Sequence, residues 1–356
     1  MYTQSMAATL TTVAIQTRKV IRYGVLFVIL MIVARIILSI GVSVYKAVVP
    51  KPTLPPTAQF GPLPALPFPK PNRELPTLNI TIETATGKLP VFATQANVYY
   101  MPPYATNLFS FDNARSKAKI LGFDGQPLQL SETLYRYTSS SAPATLEMNI
   151  VTNAFSISYN LDADPTPLSQ LPLTADAATQ QVKQRLTSAD LLPVDISTGG
   201  DTSEYLKVEG QNLVHAISLS EANFVRINLF RKKYNELPPV TADPNRGTIW
   251  FIVAGGGEKS KSIIAAQYRY YPIDEKRFET YPIKTTAQAL EELKAGKGYI
   301  ANLGVNQDGN VTIRDISLAY YDSEESMQFY EPVFVFKGDR DFVAYVPAVT
   351  AQYYGK

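Results

Sequence analysis

The stretch "GVLFVILMIVARIILSIGVSVY", residues 24–45, decides how the chain is organised. Residues 24–44 are numerous enough to cross a hydrocarbon core as a helix, and fourteen of them are Val, Ile, Leu or Phe. On an insertion scale these side chains favour the membrane by about 4–6 kcal/mol in total, whereas Arg35 near the centre costs about 2.5–3.5 kcal/mol. Insertion remains favourable, so the stretch predicts a transmembrane helix.

The flanking residues predict the orientation of this helix. Basic residues are denser before it than after it, with Arg18, Lys19 and Arg22 against Lys46 and Lys51. By the positive-inside rule, we predict a single-pass protein of the plasma (inner) membrane. Residues 1–23 are then a short cytoplasmic tail, and the C-terminal part lies outside the cell membrane. A cleaved signal peptide is the alternative. Its apolar core is usually about 7–15 residues long and is followed by a small-x-small cleavage site, and residues 24–45 match neither feature.

One side of the predicted helix is polar. At 100° per residue, Arg35, Ser39 and Ser43 fall along one stripe, and the opposite surface is Val, Ile and Leu. Polar seams of this kind are typical of helices that pack against another membrane helix, so the stripe predicts contact with a second membrane protein. The alternative is that Arg35 reaches to the lipid headgroups and the helix contacts the bilayer alone.

The composition excludes several classes of function. The 356 residues include no cysteine and one histidine, which argues against disulfides, thiolate metal sites, Cys nucleophiles and a multi-histidine metal centre. We expect His215 to be packed or half-buried in a strand. No acidic residue precedes Glu74, and the remainder is slightly acidic, so no nucleic-acid partner is expected. We therefore predict a non-enzymatic protein without cofactor or metal, and a large Cys-free exported part fits a bacterial cell envelope.

Residues 46–76 form a proline-rich linker. Ten of the 27 residues in 50–76 are proline, a composition that favours extended polyproline II over helix or central strand. As a semi-rigid spacer this segment would reach about 80 Å, at about 3.1 Å per residue. The alternative is a strap packed on the folded domain, because the segment also carries four large apolar side chains: Phe60, Leu63, Leu66 and Phe68.

The exported region predicts an α+β fold, with antiparallel sheets and a few short helices. Helices are expected to start near residues 112, 174 and 285, and Thr285 with Gln288 forms a capping box. Short β-rich runs separated by turn residues surround them. The segment "LDADPTPLSQLPL" (161–173) reads as a connector, so we predict a first lobe at 77–168 and a second at 169–356.

The last part of the chain carries a family resemblance. The segments are "TTAQALEELKAGKGYI" (285–300), "VTIRDISLAYYDS" (311–323) and "FYEPVFVFKGDRDFVAYVPAV" (329–349). Together, residues 280–350 resemble the C-terminal part of YycH/YycI-type proteins and are similar to PepSY-like modules. The resemblance implies a membrane-anchored extracytoplasmic regulator that contacts a sensor kinase through its transmembrane helix and outer domain. It implies no catalytic residues.

Two glycine-bearing loops and one set of carboxylates are candidate sites of chemistry. "AGGGEKSKS" (254–262) lacks the spacing of a phosphate loop, and "NQDGN" (306–310) lacks that of a calcium loop, so both predict hairpin turns. An acid pair for glycan hydrolysis would come from predicted turns and strand ends, where solvated charge is expected. The candidate residues are Glu324, Glu325, Glu331, Asp339 and Asp341.

Aromatic residues near a predicted turn complete the candidates. We predict that Tyr320, Tyr321, Phe329 and Tyr330 include an exposed subset that forms a binding surface. The resulting hypothesis is a membrane-anchored extracytoplasmic binding or regulatory protein that acts through protein–protein interaction. The alternatives are a structural subunit of an envelope machine for division, secretion or pilus assembly, and an envelope glycan hydrolase with paired carboxylates.

Overall fold

Helix α1 (Met6–Val48) is the first element of the computed structural model, which describes residues 6–48, 55–71, 74–256 and 261–355. Its segment Val20–Ser39 has a mean hydropathy of 2.4 and no buried residue. Among the described residues this is the one helix long and apolar enough for a single membrane pass, a test that a signal sequence near the N-terminus also meets. The expected tail 1–23 is not a separate segment, because the helix already begins at Met6.

The chain divides into two compact units, 1–55 and 56–356. The second, here called the folded unit, confirms the α+β prediction. Its largest sheet has nine antiparallel strands in the order β3-β4-β5-β6-β12-β11-β9-β7-β8. The strands are β3 (Leu128–Gln129), β4 (Leu134–Thr138), β5 (Ala144–Asn149), β6 (Phe155–Tyr159), β7 (Asp201–Glu209), β8 (Asn212–His215), β9 (Phe224–Leu229), β11 (Ile249–Ala254) and β12 (Ile263–Tyr268).

A six-stranded sheet contains most of the C-terminal strands. Its order is β1-β15-β17-β18-β14, and β10 also pairs with β15; the pairings of β15 with β1 and β10 are parallel. The strands are β1 (Asn79–Ile82), β10 (Pro239–Val240), β14 (Tyr299–Asn302), β15 (Asn310–Tyr321), β17 (Pro332–Gly338) and β18 (Val343–Pro347). A small antiparallel sheet has the order β13-β2-β16, from β2 (Gln95–Tyr100), β13 (Asp274–Pro282) and β16 (Phe329–Tyr330).

The helices cover one face of each large sheet. Small and aliphatic residues of α2 (Ser110–Ile120) and α3 (Ala175–Ser188) pack in the core of the nine-stranded sheet. Helix α5 (Thr286–Lys294) packs on the six-stranded sheet, where Leu290 and Leu293 join Phe334 and Phe336. The predicted capping box of α5 is confirmed. Two short elements are the 3₁₀ helix Thr166–Ser169 and α4 (Val194–Ser197).

The sheets do not divide where the sequence suggested. Strand β6, from the predicted first lobe (77–168), pairs directly with β12 from the predicted second lobe (169–356), for example at Ser158 and Ala265. Strand β1, also from the first predicted lobe, pairs with β15. The residues on either side of the expected boundary near 168 therefore belong to shared sheets and not to two separate lobes. The sequence did not show this, because pairing between strands far apart in the chain leaves no local signal.

The strands beside the two candidate loops test the hairpin predictions, and residues 257–260 of the first loop lie outside the described residues. Strands β11 and β12 pair antiparallel around residues 255–262, which confirms the hairpin there. Gly309 adopts φ +77° in the other loop, as a turn residue should. However, β14 and β15 on either side of that loop pair with other strands, so it is a turn between non-partner strands and not a hairpin.

Residues 56–71, here called the strap, pack on the folded unit. Leu63 N–H donates to the carbonyl of Tyr353 at 2.7 Å, and Gly355 N–H donates back to the carbonyl of Leu63 at 3.0 Å. The N–H of Leu66 donates to Tyr354 Oη at 2.9 Å. The strap is thus joined by hydrogen bonds to the C-terminal tail of the same chain.

The apolar side chains of the strap are also packed against the folded unit. Leu63 is fully buried and Leu66 is 7% exposed. Phe60 stacks on Phe329 with ring centroids 4.9 Å apart, and Phe68 stacks on Tyr299 at 4.8 Å. The apolar residues in the proline-rich segment therefore serve as packing residues, which favours the strap over the free spacer for this part of the predicted linker.

Candidate functional site

The predicted aromatic surface lies inside the protein. Tyr320, Tyr321, Phe329 and Tyr330 are at most 5% exposed. Tyr320 stacks on Tyr330 with centroids 4.8 Å apart and donates from its hydroxyl to the carbonyl of Asn97 at 2.8 Å. The prediction of a binding surface at these residues is wrong, because Tyr320 and Tyr330 pack against Tyr99 of the small sheet, whereas Tyr321 and Phe329 pack against the strap.

The candidate carboxylates lie in different environments and form no evident acid pair. Glu324 and Glu325 are exposed, as expected, and so is Asp341. Asp339 accepts from Arg314 Nη2 at 2.6 Å. Glu331 contradicts the expectation of solvated charge, since it is 2% exposed and its Oε2 has no hydrogen-bond partner among the described residues.

The two remaining candidates lie at the surface of their units. His215, expected to be packed or half-buried, is exposed at the end of edge strand β8. The side chains of Arg35 and Ser39 are exposed on α1, and that of Ser43 lies outside the described residues. A membrane partner for this stripe stays a prediction.

The structure reveals a buried ionic cluster that sequence reasoning missed. Arg231 follows β9 and is 2% exposed. Its Nη1 donates to Asp195 Oδ2 at 2.6 Å, and its Nε donates to Asp322 Oδ1 at 2.9 Å. Asp195 belongs to α4 and Asp322 follows β15, so the guanidinium connects the nine-stranded sheet to the six-stranded one.

Tyrosines complete the coordination of Asp195. The hydroxyl of Tyr234 donates to Oδ2 at 3.2 Å, and that of Tyr270 donates to Oδ1 at 3.1 Å. The ring of Tyr270 also lies under the guanidinium of Arg231, 4.5 Å from its centre. Together with Arg231, these donors supply the hydrogen bonds that a buried carboxylate needs, since burying one without partners is costly.

Burial and the neighbouring charges shift the pKa values of Asp322 and Arg231. Burial raises the pKa of Asp322, and the nearby Arg231 only partly opposes this. For Arg231 itself, burial acts to lower the pKa, but Asp322 and Asp195 outweigh it and hold the pKa well above its usual value. The guanidinium is therefore permanently charged and fixed in place.

A polar cleft adjoins this cluster. It consists of two neighbouring cavities of about 440 and 280 Å³ that share Tyr104, Lys117, Asn153 and Asp190. The hydroxyl of Tyr104 donates to the carbonyl of Tyr270 at 3.1 Å. Because Tyr270 also binds Asp195, the cleft wall is connected to the buried cluster through one side chain.

Two turn residues and Lys117 meet in the cleft. Asn153 and Asp190 adopt φ of +57° and +53°, a region that Asn and Asp occupy more readily than other non-glycine residues, and both lie in hydrogen-bonded turns. Lys117 Nζ donates to the carbonyl of Asp190 at 3.0 Å. Burial lowers the pKa of Lys117, with the Asp190 carboxylate acting in the opposite direction, and burial raises that of Tyr104 to about 12.

Helix α2 supplies one wall of the cleft. Asn113, Ser116, Lys117 and Ile120 all line it, at spacings that place them along one face of the helix. Asp190 is the one carboxylate that contributes to either cavity lining. Among the described residues, no group of three or more His, Cys, Asp or Glu side chains is arranged to hold a metal. The cleft therefore offers hydrogen-bonding groups and one cation to a polar ligand.

Comparisons with known proteins add no family. No protein-family model matches the chain, and no curated protein matches it. Among solved structures, the chain is similar to an uncharacterized protein from Eubacterium rectale ATCC 33656, with 12% identity and a TM-score of 0.41. The similarity covers 77% of this chain and 89% of that one. At this level of similarity neither fold nor ligand transfers between the two proteins, and the resemblance to YycH/YycI-type proteins stays a prediction.

Proposed function

We propose that the chain is a single-pass, membrane-anchored binding or regulatory protein of a bacterial envelope, whose folded unit takes a polar partner in the cleft. The observation that carries this proposal is the polar cleft itself, where the partly desolvated Lys117 lies beside the fixed Arg231 cluster.

The arrangement favours binding over chemistry. Lys117, the cation of the cleft, already donates to the backbone of Asp190. With Asp190 as the single carboxylate in the lining, the cleft offers no second acid for acid–base hydrolysis. Polar side chains on the wall instead match a ligand or peptide that is recognised by hydrogen bonds.

The membrane part of the proposal rests on α1. Its apolar segment and the excess of basic residues before it favour a cytoplasmic N-terminus, with the folded unit outside. The resemblance to YycH/YycI-type proteins suggests a sensor kinase as the regulated partner, contacted through the Arg35 face and the outer domain.

Orientation has a direct test because the chain contains no cysteine. In intact cells, a membrane-impermeant maleimide should label the full chain with Ser220→Cys and should not label it with Thr17→Cys until the cells are permeabilised. Ser220 is exposed in the folded unit, and Thr17 precedes the apolar segment. If only Thr17→Cys were labelled in intact cells, the N-terminus would be outside and the proposed orientation would be wrong.

The binding site is tested by site-specific photocrosslinking of the full chain in native membranes. A benzophenone amino acid at Ser116, exposed on the cleft wall, should capture a discrete partner. The matched control carries the same probe at exposed Ser220, away from the cleft lining. The Ser116 adduct should disappear with Lys117→Met, and the cleft proposal fails if both positions give the same adducts or if Lys117→Met changes nothing.

A further inference from the structure

Three elements form the larger cavity of the polar cleft. Helix α2 and the loop before it give one wall, the turn between β5 and β6 gives a second, and the end of α3 gives the third. Uncharged amide or hydroxyl side chains are present on each wall, and they are Asn107, Ser110, Asn113, Ser116, Asn153 and Ser188. A ligand in the cleft therefore meets neutral hydrogen-bonding groups from several directions.

Three of these side chains have hydrogen-bonding capacity left for a ligand. Asn113 and Ser116 are exposed on α2, and Asn153 is half-buried in the β5–β6 turn. None of the three side chains forms a hydrogen bond with another described residue. An amide has donors and an acceptor, and a hydroxyl can act as either. Such groups are matched to the hydroxyl groups of a sugar, each of which also donates and accepts.

The lining has no net charge. Lys117 is its one cation and Asp190 is its one carboxylate. Lys117 Nζ donates to the carbonyl of Asp190 at 3.0 Å and lies 3.8 Å from the Asp190 carboxylate. A charged ligand would leave its own charge without a free counter-charge in the cleft. The lining therefore favours an uncharged ligand.

Apolar surface accompanies the polar groups. Tyr104 and Tyr270 line the smaller cavity and are half-buried. Ile150 and Val151 line the larger cavity, and they too are half-buried. Aromatic rings offer large, rigid apolar surfaces, on which the C–H groups of a sugar ring can pack. Aliphatic side chains are suited to a methyl group, such as that of an acetamido substituent.

Hydrogen bonds hold the walls in place without a ligand. Asn149 Oδ1 accepts from the N–H groups of Val151 and Thr152 at 2.9 and 3.1 Å, which fixes the β5–β6 turn. The bond from Lys117 to Asp190 joins α2 to the end of α3. Groups that are already ordered lose less conformational entropy on binding, so more of each hydrogen bond contributes to affinity.

We propose that the cleft binds a neutral oligosaccharide of N-acetylated sugars. The amides of Asn113 and Asn153 bind its hydroxyl and acetamido groups, and one sugar ring packs on Tyr104. The acetamido methyl group contacts Ile150 and Val151. The inference rests on the proposed function, because it names the class of partner for the same cleft.

A saccharide fits the larger cavity better than an extended peptide does. Extended peptides carry a backbone donor and acceptor at every residue, and they commonly satisfy them by adding to the edge of a sheet. The described lining of this cavity comes from two helices, a loop and a turn, and includes no strand residue. Recognition in this cavity therefore falls to side chains, whose groups match hydroxyl and acetamido substituents.

The probe is tri-N-acetylchitotriose, titrated by calorimetry into the full chain in amphipol, a polymer without sugar groups. Cellotriose has the same linkage but no acetamido groups, and it should bind on the order of tenfold more weakly. Affinity for the N-acetylated trimer should change less than about twofold between low and high salt, because an uncharged ligand forms no ion pair that salt can screen. Equal affinity for the two trimers, or a large loss of affinity in high salt, would overturn the proposal.

Variants place the binding in the cleft. Asn113→Ala removes one amide and should weaken binding about threefold to tenfold, and Tyr104→Ala should weaken it about tenfold. Gln180→Ala is the matched control, because Gln180 is also an exposed amide on a helix but is not part of the cleft lining. If Asn113→Ala binds the trimer like Gln180→Ala, with both near-ultraviolet spectra native, the saccharide site is refuted.

The photocrosslink at Ser116 separates this inference from the proposed function. Tri-N-acetylchitotriose should suppress the adduct that depends on Lys117. If that adduct forms and the trimer neither binds nor suppresses it, the saccharide class is wrong while the cleft remains a binding site. If no such adduct forms and the trimer does not bind, both proposals fail.

Discussion

Glu331 makes the stability of the folded unit depend on pH. It lies between β16 and β17, is 2% exposed, and has one carboxyl oxygen that forms no hydrogen bond within the described part of the chain. Burial raises its pKa well above 4.5, the ordinary value for glutamate. The titratable groups near it are Tyr281 and Tyr354, and burial raises both of their pKa values to about 12. They remain neutral while Glu331 titrates.

The sign and size of the effect follow from linkage. Because its pKa is higher in the folded state, Glu331 binds a proton on folding between pH 4.5 and that raised pKa. Its contribution to stability is complete below about pH 4.5 and is lost as the pH rises towards the folded pKa. One proton corresponds to a slope of up to about 1.4 kcal/mol per pH unit, or up to about 2 kcal/mol by pH 6.

The test compares wild type with Glu331→Gln by urea unfolding of the full chain in detergent, followed by near-ultraviolet circular dichroism from pH 4 to 8. A buried glutamine has its own desolvation cost, but that cost does not change with pH, so the difference in slope isolates the carboxyl group. We expect the variant to gain stability relative to wild type as the pH rises. Glu324→Gln, at an exposed carboxylate, is the control and should follow wild type. Parallel curves for wild type and Glu331→Gln would refute the reasoning.

Three further changes test other parts of the structure. Arg231→Met leaves Asp195 and Asp322 buried without a cation and should lower the free energy of unfolding by about 3–5 kcal/mol at neutral pH; a loss below about 1 kcal/mol in urea unfolding would contradict this. Leu63→Ala in the fully buried part of the strap should cost about 2–5 kcal/mol and speed hydrogen exchange in the C-terminal tail, and unchanged exchange would mean that the strap is not held there. Arg35→Leu should preserve membrane insertion but lose a co-purified membrane partner, and an unchanged set of partners would make Arg35 a tolerated charge.

The parts of the fold that were predicted from sequence depend on local signals. The capping box at Thr285 and Gln288 places a helix because the stabilising contacts lie within one turn. Strong β-rich runs likewise gave the mixed α+β class. The division into lobes was wrong because β6 and β12 meet across a long stretch of chain, which no local pattern records.

The buried cluster shows why site prediction failed. Arg231 lies 36 residues from Asp195 and 91 residues from Asp322, and a single sequence does not show that these charges meet. The tyrosine pair at 320–321 was expected at the surface because it stands near a turn. The small sheet buries Tyr320 and the strap buries Tyr321, and both contacts join residues far apart in the sequence.

The hydrogen bonds between strap and C-terminal tail have a practical consequence for work on the isolated folded unit. A fragment that begins at residue 77, where the sequence suggests a domain start, would lack the residues that cover Val333 and Tyr345, and it would leave Tyr354 without its partner at Leu66. We expect such a fragment to aggregate, and an affinity tag fused directly after Lys356 to disturb the same contacts. A start at or before Pro56, with the tag at that end on a flexible spacer, keeps the two chain segments together.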